Sequence, residues 1–317
     1  DEDMDGTSIG CLLACLAGWR AVTARPRYKK RRGAYSIRSN ASTGAAVWYN
    51  ADRAVGDFRV RPFDGCETVY EVFEYAVRAH RNRKALGERE VLETTKETTG
   101  DGREVDKVRL GEYRWMSFRE ASDRASAIAS GLVDLAGLKP RDKVIIYADT
   151  KRDWQLVAQA CFRMNLVVVT IYATLGEDGV RHGINQTKAA VVVCDGKLLK
   201  TLVKVAGDCP SLKHVVTMGE PEQASLDKLP KSLFQVSLGD VAKLGARKPM
   251  DARPPKSSDI AVLMYTSGTT GAPKGVMLSH ANVCATMSGL KDAGDFTNKD
   301  VYLAYLPLAH IMEMAAE

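Results

Sequence analysis

The sequence predicts an α/β fold, with parallel sheet layers flanked by helices. Short runs of β-branched and apolar residues alternate with segments of helical periodicity between about residues 140 and 218. Strands separated by helices of this length are typical of βαβ units, whose parallel sheet is covered on both faces. With 317 residues, 45% of them hydrophobic, the chain has the size of one large domain or two medium ones.

Residues 1–32 differ from the rest of the chain. An apolar run over residues 9–19 is followed by six positive charges within residues 25–32. The run is short for a spanning helix of about 20 residues, and a secretory signal would carry its charges before the run. Basic residues beside an apolar segment bind anionic lipid and stay on the cytoplasmic side of a membrane. We therefore expect residues 9–32 to attach the protein to a membrane surface, that of the endoplasmic reticulum or a similar membrane. The body of the protein would face the cytoplasm. The alternative is a disordered leader.

Charge and cysteine usage exclude other classes. Of the net charge of +6, four units lie in residues 1–40, so the body is nearly neutral and nucleic-acid binding is not predicted. Seven scattered cysteines without a C-x-x-C pair predict neither a disulfide framework nor a metal site. A reducing compartment is the simplest interpretation. Cys11 and Cys15 are either palmitoylated or free apolar residues.

The first elements follow a polar linker over residues 33–55. Thr68 with Glu71, and Ser117 with Glu120, form capping-box patterns that begin two helices, ending near residues 80 and 135. The polar, charged residues 87–113 between them predict a hairpin or surface excursion.

Strands and helices then alternate. Apolar runs predict strands at residues 143–148, 166–172, 189–194, 213–218 and 260–265, and periodicity predicts helices at residues 152–164, 177–186 and 198–206. Residues 219–256, rich in Pro, Lys and Gly, predict a looser connection. A last helix is predicted to begin near Ser279.

The segment after the last strand carries the chemistry. It reads Thr266-Ser-Gly-Thr-Thr-Gly271, with Lys274 closing the loop. Glycines allow close backbone approach, successive N–H groups and hydroxyls bind anions, and the lysine adds a compact positive charge. These features favour the binding of a polyphosphate such as that of ATP. The spacing is not that of a Walker A loop, and the remaining alternative is a flexible surface loop.

Two motifs resemble the adenylate-forming superfamily. Residues 265–275, Tyr-Thr-Ser-Gly-Thr-Thr-Gly-Ala-Pro-Lys-Gly, resemble its signature phosphate loop, and residues 300–317, which contain Leu-Pro-Leu-Ala-His310, resemble the next core motif in the version found in long-chain fatty acyl-CoA synthetases. Residues 63–75, 170–177 and 183–187 also resemble that branch. The resemblance covers residues 56–317 and implies an incomplete N-terminal domain of the adenylate-forming fold.

The resemblance also implies a reaction and a site. Family members use ATP to convert a fatty acid to acyl-AMP and then transfer the acyl group to CoA, with Mg²⁺ accompanying the ATP. His310 would lie near the acyl carboxylate and adenylate, whereas Glu313 receives no role. The residues implied in holding the ATP phosphates are Thr266, Ser267, Gly268, Thr269, Thr270, Gly271 and Lys274.

Relatives carry further motifs, for adenine, ribose and Mg²⁺ and a C-terminal lysine, that these 317 residues do not contain. We therefore expect the chain by itself to make no acyl-CoA. Two interpretations stay open: a portion of a full ligase, or a truncated non-catalytic paralogue that binds nucleotide or membrane. Within the enzyme class, a medium-chain synthetase is the second choice.

Overall fold

The computed structural model describes residues 36–39, 47–50, 60–266, 273–293 and 296–317. It contains two compact units, Asp1–Phe58 and Arg59–Glu317. In the first unit, β1 (Ser36–Ser39) and β2 (Val47–Asn50) pair antiparallel within the segment predicted as a linker, where no strand was expected. The predicted membrane segment, residues 9–32, lies outside the described residues. Among the described helices, none has the length and apolar character that a membrane span requires.

The second unit begins with the two capped helices and the hairpin that the sequence predicted. These elements are α1 (Val69–His80), β3 (Lys84–Thr98), β4 (Glu104–Ser117) and α2 (Phe118–Ala136). Both capping boxes are present, with Thr68 and Ser117 as the N-cap residues. β3 and β4 form an antiparallel ribbon that is exposed along most of its length.

A seven-stranded sheet forms the centre of this unit. In chain order its strands are β5 (Lys143–Tyr147), β6 (Val167–Ile171), β7 (Val191–Asp195), β8 (His214–Met218), β9 (Phe234–Ser237), β10 (Ile260–Thr266) and β11 (Lys274–Ser279). Their spatial order is β11-β10-β6-β5-β7-β8-β9. All neighbours are parallel except β10 and β11. The predicted α/β class is confirmed.

Helices cover both faces of the sheet. The helices that follow α2 are α3 (Arg152–Arg163), α4 (Glu177–Thr187), α5 (Leu199–Ala206), α6 (Gln223–Leu226), α7 (Leu238–Arg247), α8 (His280–Ala293) and α9 (Ile311–Ala316). Alternate residues of a strand point to opposite faces. Accordingly Val144 and Ile146 join the apolar cluster beneath α2, α3 and α7, while Ile145 and Tyr147 join the cluster beneath α4 and α5.

The interpretation of residues 219–256 as a loose connection was wrong. They contain α6, β9 and α7, and α7 buries Leu238, Val241, Ala242 and Gly245 at helical spacing. Because β9 has four residues and is only partly covered, it lacks the apolar run that marked the other strands. β11 was also not predicted, since residues 274–279 are mostly exposed at the sheet edge. The helix expected near Ser279 begins at His280.

His280 is a fully buried core residue. Its Nδ1 accepts a hydrogen bond from the backbone N–H of Val69 at 3.3 Å, and its ring packs edge-on against Phe162. Burial lowers the pKa of this imidazole from 6.5 to about 4, although the carboxylates of Asp259 and Glu71 act in the opposite direction. The folded protein therefore holds the neutral ring.

We expect acid to destabilise the fold through His280. The unfolded state takes up a proton near pH 6.5 but the folded state does not, so this contribution is present above pH 6.5 and is lost as the pH falls toward about 4. The loss amounts to roughly 3 kcal/mol at the acid limit. Urea unfolding at pH 7 and at pH 4.5 measures it. The His280→Gln variant should show a flatter pH dependence than the parent; an equal slope in both proteins would assign the acid sensitivity to other groups.

Candidate active site

The predicted phosphate loop leaves the carboxyl end of β10. This strand lies between β6 and β11, is buried along most of its length, and ends at Thr266. Ser267, Gly268, Thr269, Thr270 and Gly271 lie outside the described residues, so their contacts stay predictions. Lys274 begins β11, where it pairs with Thr266 across the ladder, and the Thr266 hydroxyl donates to its carbonyl at 3.4 Å. The two strands thus hold the base of the loop.

Tyr265 anchors the strand beneath the loop. Its side chain is buried, its hydroxyl donates to Oε1 of Gln186 at 2.7 Å, and its ring lies edge-on to His182. Gly183, one turn before Gln186, lies against β6: a Cβ there would stand 2.9 Å from Cδ1 of Ile171. The motif at residues 183–187 therefore packs α4 against β6 and β10.

A cavity borders the described end of the loop. Its volume is about 710 Å³, and it is lined by Pro273 and by the start of α4 with the residues before it, including Gly176, Glu177 and His182. We predict that the loop begins at a strand end and faces a cleft. β10 does end at Thr266, and Pro273 lines the cavity. Because residues 267–272 lie outside the described part of the chain, the orientation of the loop toward a cleft stays a prediction.

His310 follows residues 301–309, a segment outside any helix or strand that contacts Thr150, just after β5, and Thr170 of β6. The Thr150 hydroxyl, which follows β5, donates to the carbonyl of Leu306 and accepts from the N–H of Leu308, both at 2.8 Å. The buried Thr170 hydroxyl of β6 donates to the carbonyl of Ala309 at 3.4 Å. These two threonines were not predicted from the sequence as site residues. For Thr150, its position just after a predicted buried strand could have indicated a site residue.

The His310 ring is held by the helix that follows it. His310 is the N-cap of α9, and its Nδ1 accepts from the N–H of Met312 at 3.2 Å. In a neutral ring one nitrogen accepts and the other carries the proton. The hydrogen-bond network therefore assigns the proton to Nε2, on a side chain that is exposed. Nε2–H is a donor that a ligand can reach.

Glu313, which the sequence could not interpret, has a structural contact. It is fully buried in α9, and its Oε2 accepts from the Tyr302 hydroxyl at 2.7 Å. Burial and the Glu313 carboxylate raise the pKa of Tyr302. The contact joins Tyr302, near the beginning of this irregular segment, to the helix after His310.

The end of β10, where the predicted loop begins, lies beside the strand that holds the main chain next to His310. Met264 of β10 is the register partner of Thr170 of β6, Thr266 lies two residues beyond Met264, and Thr170 contacts the residue before His310. Neighbouring strands are about 4.8 Å apart. The order β6-β5-β7 also reverses at β5, and ligands of open α/β sheets bind outside the carboxyl ends at such switch points.

A mostly parallel α/β sheet, with a predicted phosphate loop and an exposed histidine at its carboxyl edge, is the arrangement expected of a nucleotide-binding domain. The profile of the AMP-binding enzyme family matches residues 92–317. The chain belongs to this family, and its resemblance to long-chain acyl-CoA synthetases is confirmed by its relatives.

Two curated relatives illustrate the likeness. The chain is 38% identical over 260 residues to long chain acyl-CoA synthetase 8 of Arabidopsis thaliana, covering 81% of this chain and 36% of that protein. It is 35% identical over 289 residues to long-chain-fatty-acid–CoA ligase 1 of Schizosaccharomyces pombe, covering 86% of this chain and 42% of that protein. The chain thus spans about two fifths of the length of these relatives.

Solved structures share the fold at lower identity. The A-PCP didomain of a carboxylic acid reductase from Segniliparus rugosus, in complex with AMP, matches with a TM-score of 0.68 and 24% identity, over 80% of this chain and 37% of that chain. A long-chain-fatty-acid–CoA ligase from Archaeoglobus fulgidus matches with a TM-score of 0.61 and 19% identity, over 82% of this chain and 45% of that chain.

Proposed function

We propose that this chain is part of a long-chain fatty acid–CoA ligase. The carboxylate oxygen of the fatty acid attacks the α-phosphorus of ATP, and the bond to the bridging oxygen breaks, so that pyrophosphate leaves with the electron pair. The CoA sulfur then attacks the acyl carbon, the C–O bond to AMP breaks, and the thiol proton is released. Family membership and the two relatives named as synthetase and ligase support the proposal.

The observation that carries the proposal is the juxtaposition of two neighbouring strand ends. β10 leads into the predicted phosphate loop, and Thr170 of β6 holds the main chain next to His310. Adenylation requires an anionic carboxylate beside the phosphates of ATP. A site with phosphate-binding groups on one strand end and a donor on the next suits that requirement, because both substrates are then held in reacting geometry.

The proposed roles follow from the chemistry of each residue. Backbone N–H groups and hydroxyls of residues 266–271 hold the ATP phosphates, and Lys274 balances the charge that grows as pyrophosphate departs. Nε2–H of His310 donates to the acyl carboxylate or the adenylate. Mg²⁺ is proposed to enter with ATP on the phosphate oxygens; within residues 60–266, 273–293 and 296–317, no cluster of three metal-ligating side chains was found.

Fatty-acid-dependent ATP–pyrophosphate exchange tests the proposal. The natural full-length protein should exchange labelled pyrophosphate into ATP with a C16 or C18 fatty acid, and much more slowly with a C8 acid or acetate. A preference for the C8 acid would favour the medium-chain alternative. ATP binding without exchange for any acid would support the non-catalytic paralogue and overturn the ligase proposal.

We also propose that residues 9–32 attach the protein to a membrane whose cytoplasmic face carries anionic lipid. An apolar run and a basic cluster each bind a membrane weakly, and together they give stable attachment. Deleting residues 1–32 is expected to move the protein from the membrane pellet to the supernatant. As a control, the six basic residues of 25–32 are replaced by glutamine, which should weaken binding to anionic vesicles more than to neutral ones. Unchanged fractionation after the deletion would exclude this segment as the main anchor.

A further inference from the structure

Thr150 makes an unusual pair of contacts at the candidate site. It follows β5 and precedes α3, and its single hydroxyl bonds both to the carbonyl of Leu306 and to the N–H of Leu308, each at 2.8 Å. These groups flank Pro307, which has no N–H of its own to offer. One side chain from a distant part of the sequence therefore bridges the main chain on both sides of the proline.

The bridge fixes the residues that lead to His310. Leu308 and Ala309 are buried, and the N–H of His310 donates to the carbonyl of Pro307 at 2.8 Å. A movement of the proline would therefore shift the backbone of His310 and the start of α9 with it. Beyond His310, the Nδ1 contact with Met312 fixes the ring to the same helix. The position of the imidazole thus depends on Thr150 through a short chain of bonded groups.

Burial of apolar side chains alone does not explain this arrangement. Leu308 packs in the core whether or not residue 150 has a hydroxyl, but packing does not select the direction of the backbone groups. A valine at position 150 would have nearly the shape of threonine and would leave the N–H of Leu308 without its partner. The hydroxyl is thus the feature that acts on His310.

We propose that Thr150 is a positioning residue, which sets the imidazole of His310 against the reacting carboxylate; this inference rests on the proposed ligase function. Thr150 contacts neither reactant in this role. Since a displacement of about 1 Å in a reacting group lowers rates by up to about 100-fold, removal of the bridge should reduce turnover while leaving ATP binding intact.

Two matched variants separate the hydroxyl from the shape. In ATP–pyrophosphate exchange by the full-length protein, Thr150→Val is expected to lower kcat by about 10- to 100-fold with KM for ATP within about twofold. Thr150→Ser, which keeps the hydroxyl, should retain at least about a third of the parent kcat. Equal losses in both variants, or an unchanged kcat in Thr150→Val, would overturn the proposal. Thr150→Ala serves as a second deletion if the valine variant fails to fold.

A second readout does not depend on the enzymatic reaction. By NMR, Thr150→Val should speed hydrogen exchange of the Leu308 amide at least about tenfold and shift the ring nitrogen signals of His310, whereas Thr150→Ser should change neither. If the parent protein shows no pyrophosphate exchange, the ligase function fails, and these signals still test the link from Thr150 to His310. If Thr150→Val leaves both the exchange rate of the Leu308 amide and the His310 signals unchanged, the inference is wrong even in an active enzyme.

Discussion

Lys274→Ala is expected to slow adenylation by the full-length protein about 10²- to 10³-fold, the loss typical of removing one preorganised charge-stabilising group. Lys274 begins β11 opposite Thr266, at the base of the predicted phosphate loop. The charge it meets grows as pyrophosphate departs, so the interaction is stronger in the transition state than with bound ATP. The expected signature is a lower kcat with a smaller change in KM for ATP.

Steady-state ATP–pyrophosphate exchange with a long-chain fatty acid measures this effect. Lys228→Ala is a suitable control, since Lys228 is an exposed lysine after α6, on the side of the sheet that ends in β9. It removes the same charge without touching the loop and should leave exchange within about twofold of the parent, as surface substitutions usually do. Equal rates in Lys274→Ala and the parent would remove Lys274 from the site.

Gly245→Ala is expected to destabilise the second unit by about 3 kcal/mol or more, the upper range for overpacking a close contact. α7 lies against α2 at two glycines. A Cβ on Gly245 would stand 1.9 Å from the carbonyl oxygen of Ala127, and one on Gly131 would stand 1.9 Å from that of Val241. Because the obstructing atoms belong to helix backbones, no side-chain rotation relieves the clash, and the helices must move apart.

Gly239→Ala is the matched control in the same helix. The nearest atom to a Cβ there is the Ser237 hydroxyl oxygen at 3.5 Å, an ordinary contact. Since alanine is a better helix former than glycine, this variant should equal or exceed the parent in stability by up to about 1 kcal/mol. Urea unfolding followed by circular dichroism compares the three proteins. Equal midpoints for the two variants would contradict the close helix contact.

Local patterns predicted most of the elements because each pattern had a local cause. The capping boxes at Thr68 and Ser117 satisfy their own helix N–H groups, and the valine-rich strands are buried on both faces, so the sequence around them was sufficient. β9 and β11 escaped prediction because strands at the sheet edges are only half covered and need no continuous apolar run.

Some residues of the candidate site could likewise be predicted from local sequence, and others could not. The loop at residues 266–271 was predicted from the order of residue types, since glycines, hydroxyls and a lysine in one short string indicate anion binding. His310 was predicted from the resemblance of residues 300–317 to a family motif. Thr150, Thr170 and Tyr302 were not predicted. The partners of the two threonines lie far along the chain, and the contact between Tyr302 and Glu313 forms only when the backbone has folded.

The sequence by itself determined the α/β class, which depends on periodicity, and the family, whose motifs are strings of adjacent residues. It also predicted the phosphate-loop chemistry. Only the tertiary structure decided which strands are neighbours. It places the end of β10, where the predicted loop begins, beside β6, which holds the main chain next to His310. It also decided that one hydroxyl, on Thr150, bridges the backbone at Pro307. Hydrogen bonds between residues more than 150 positions apart produce no pattern in the sequence, because their geometry exists only once the sheet has formed.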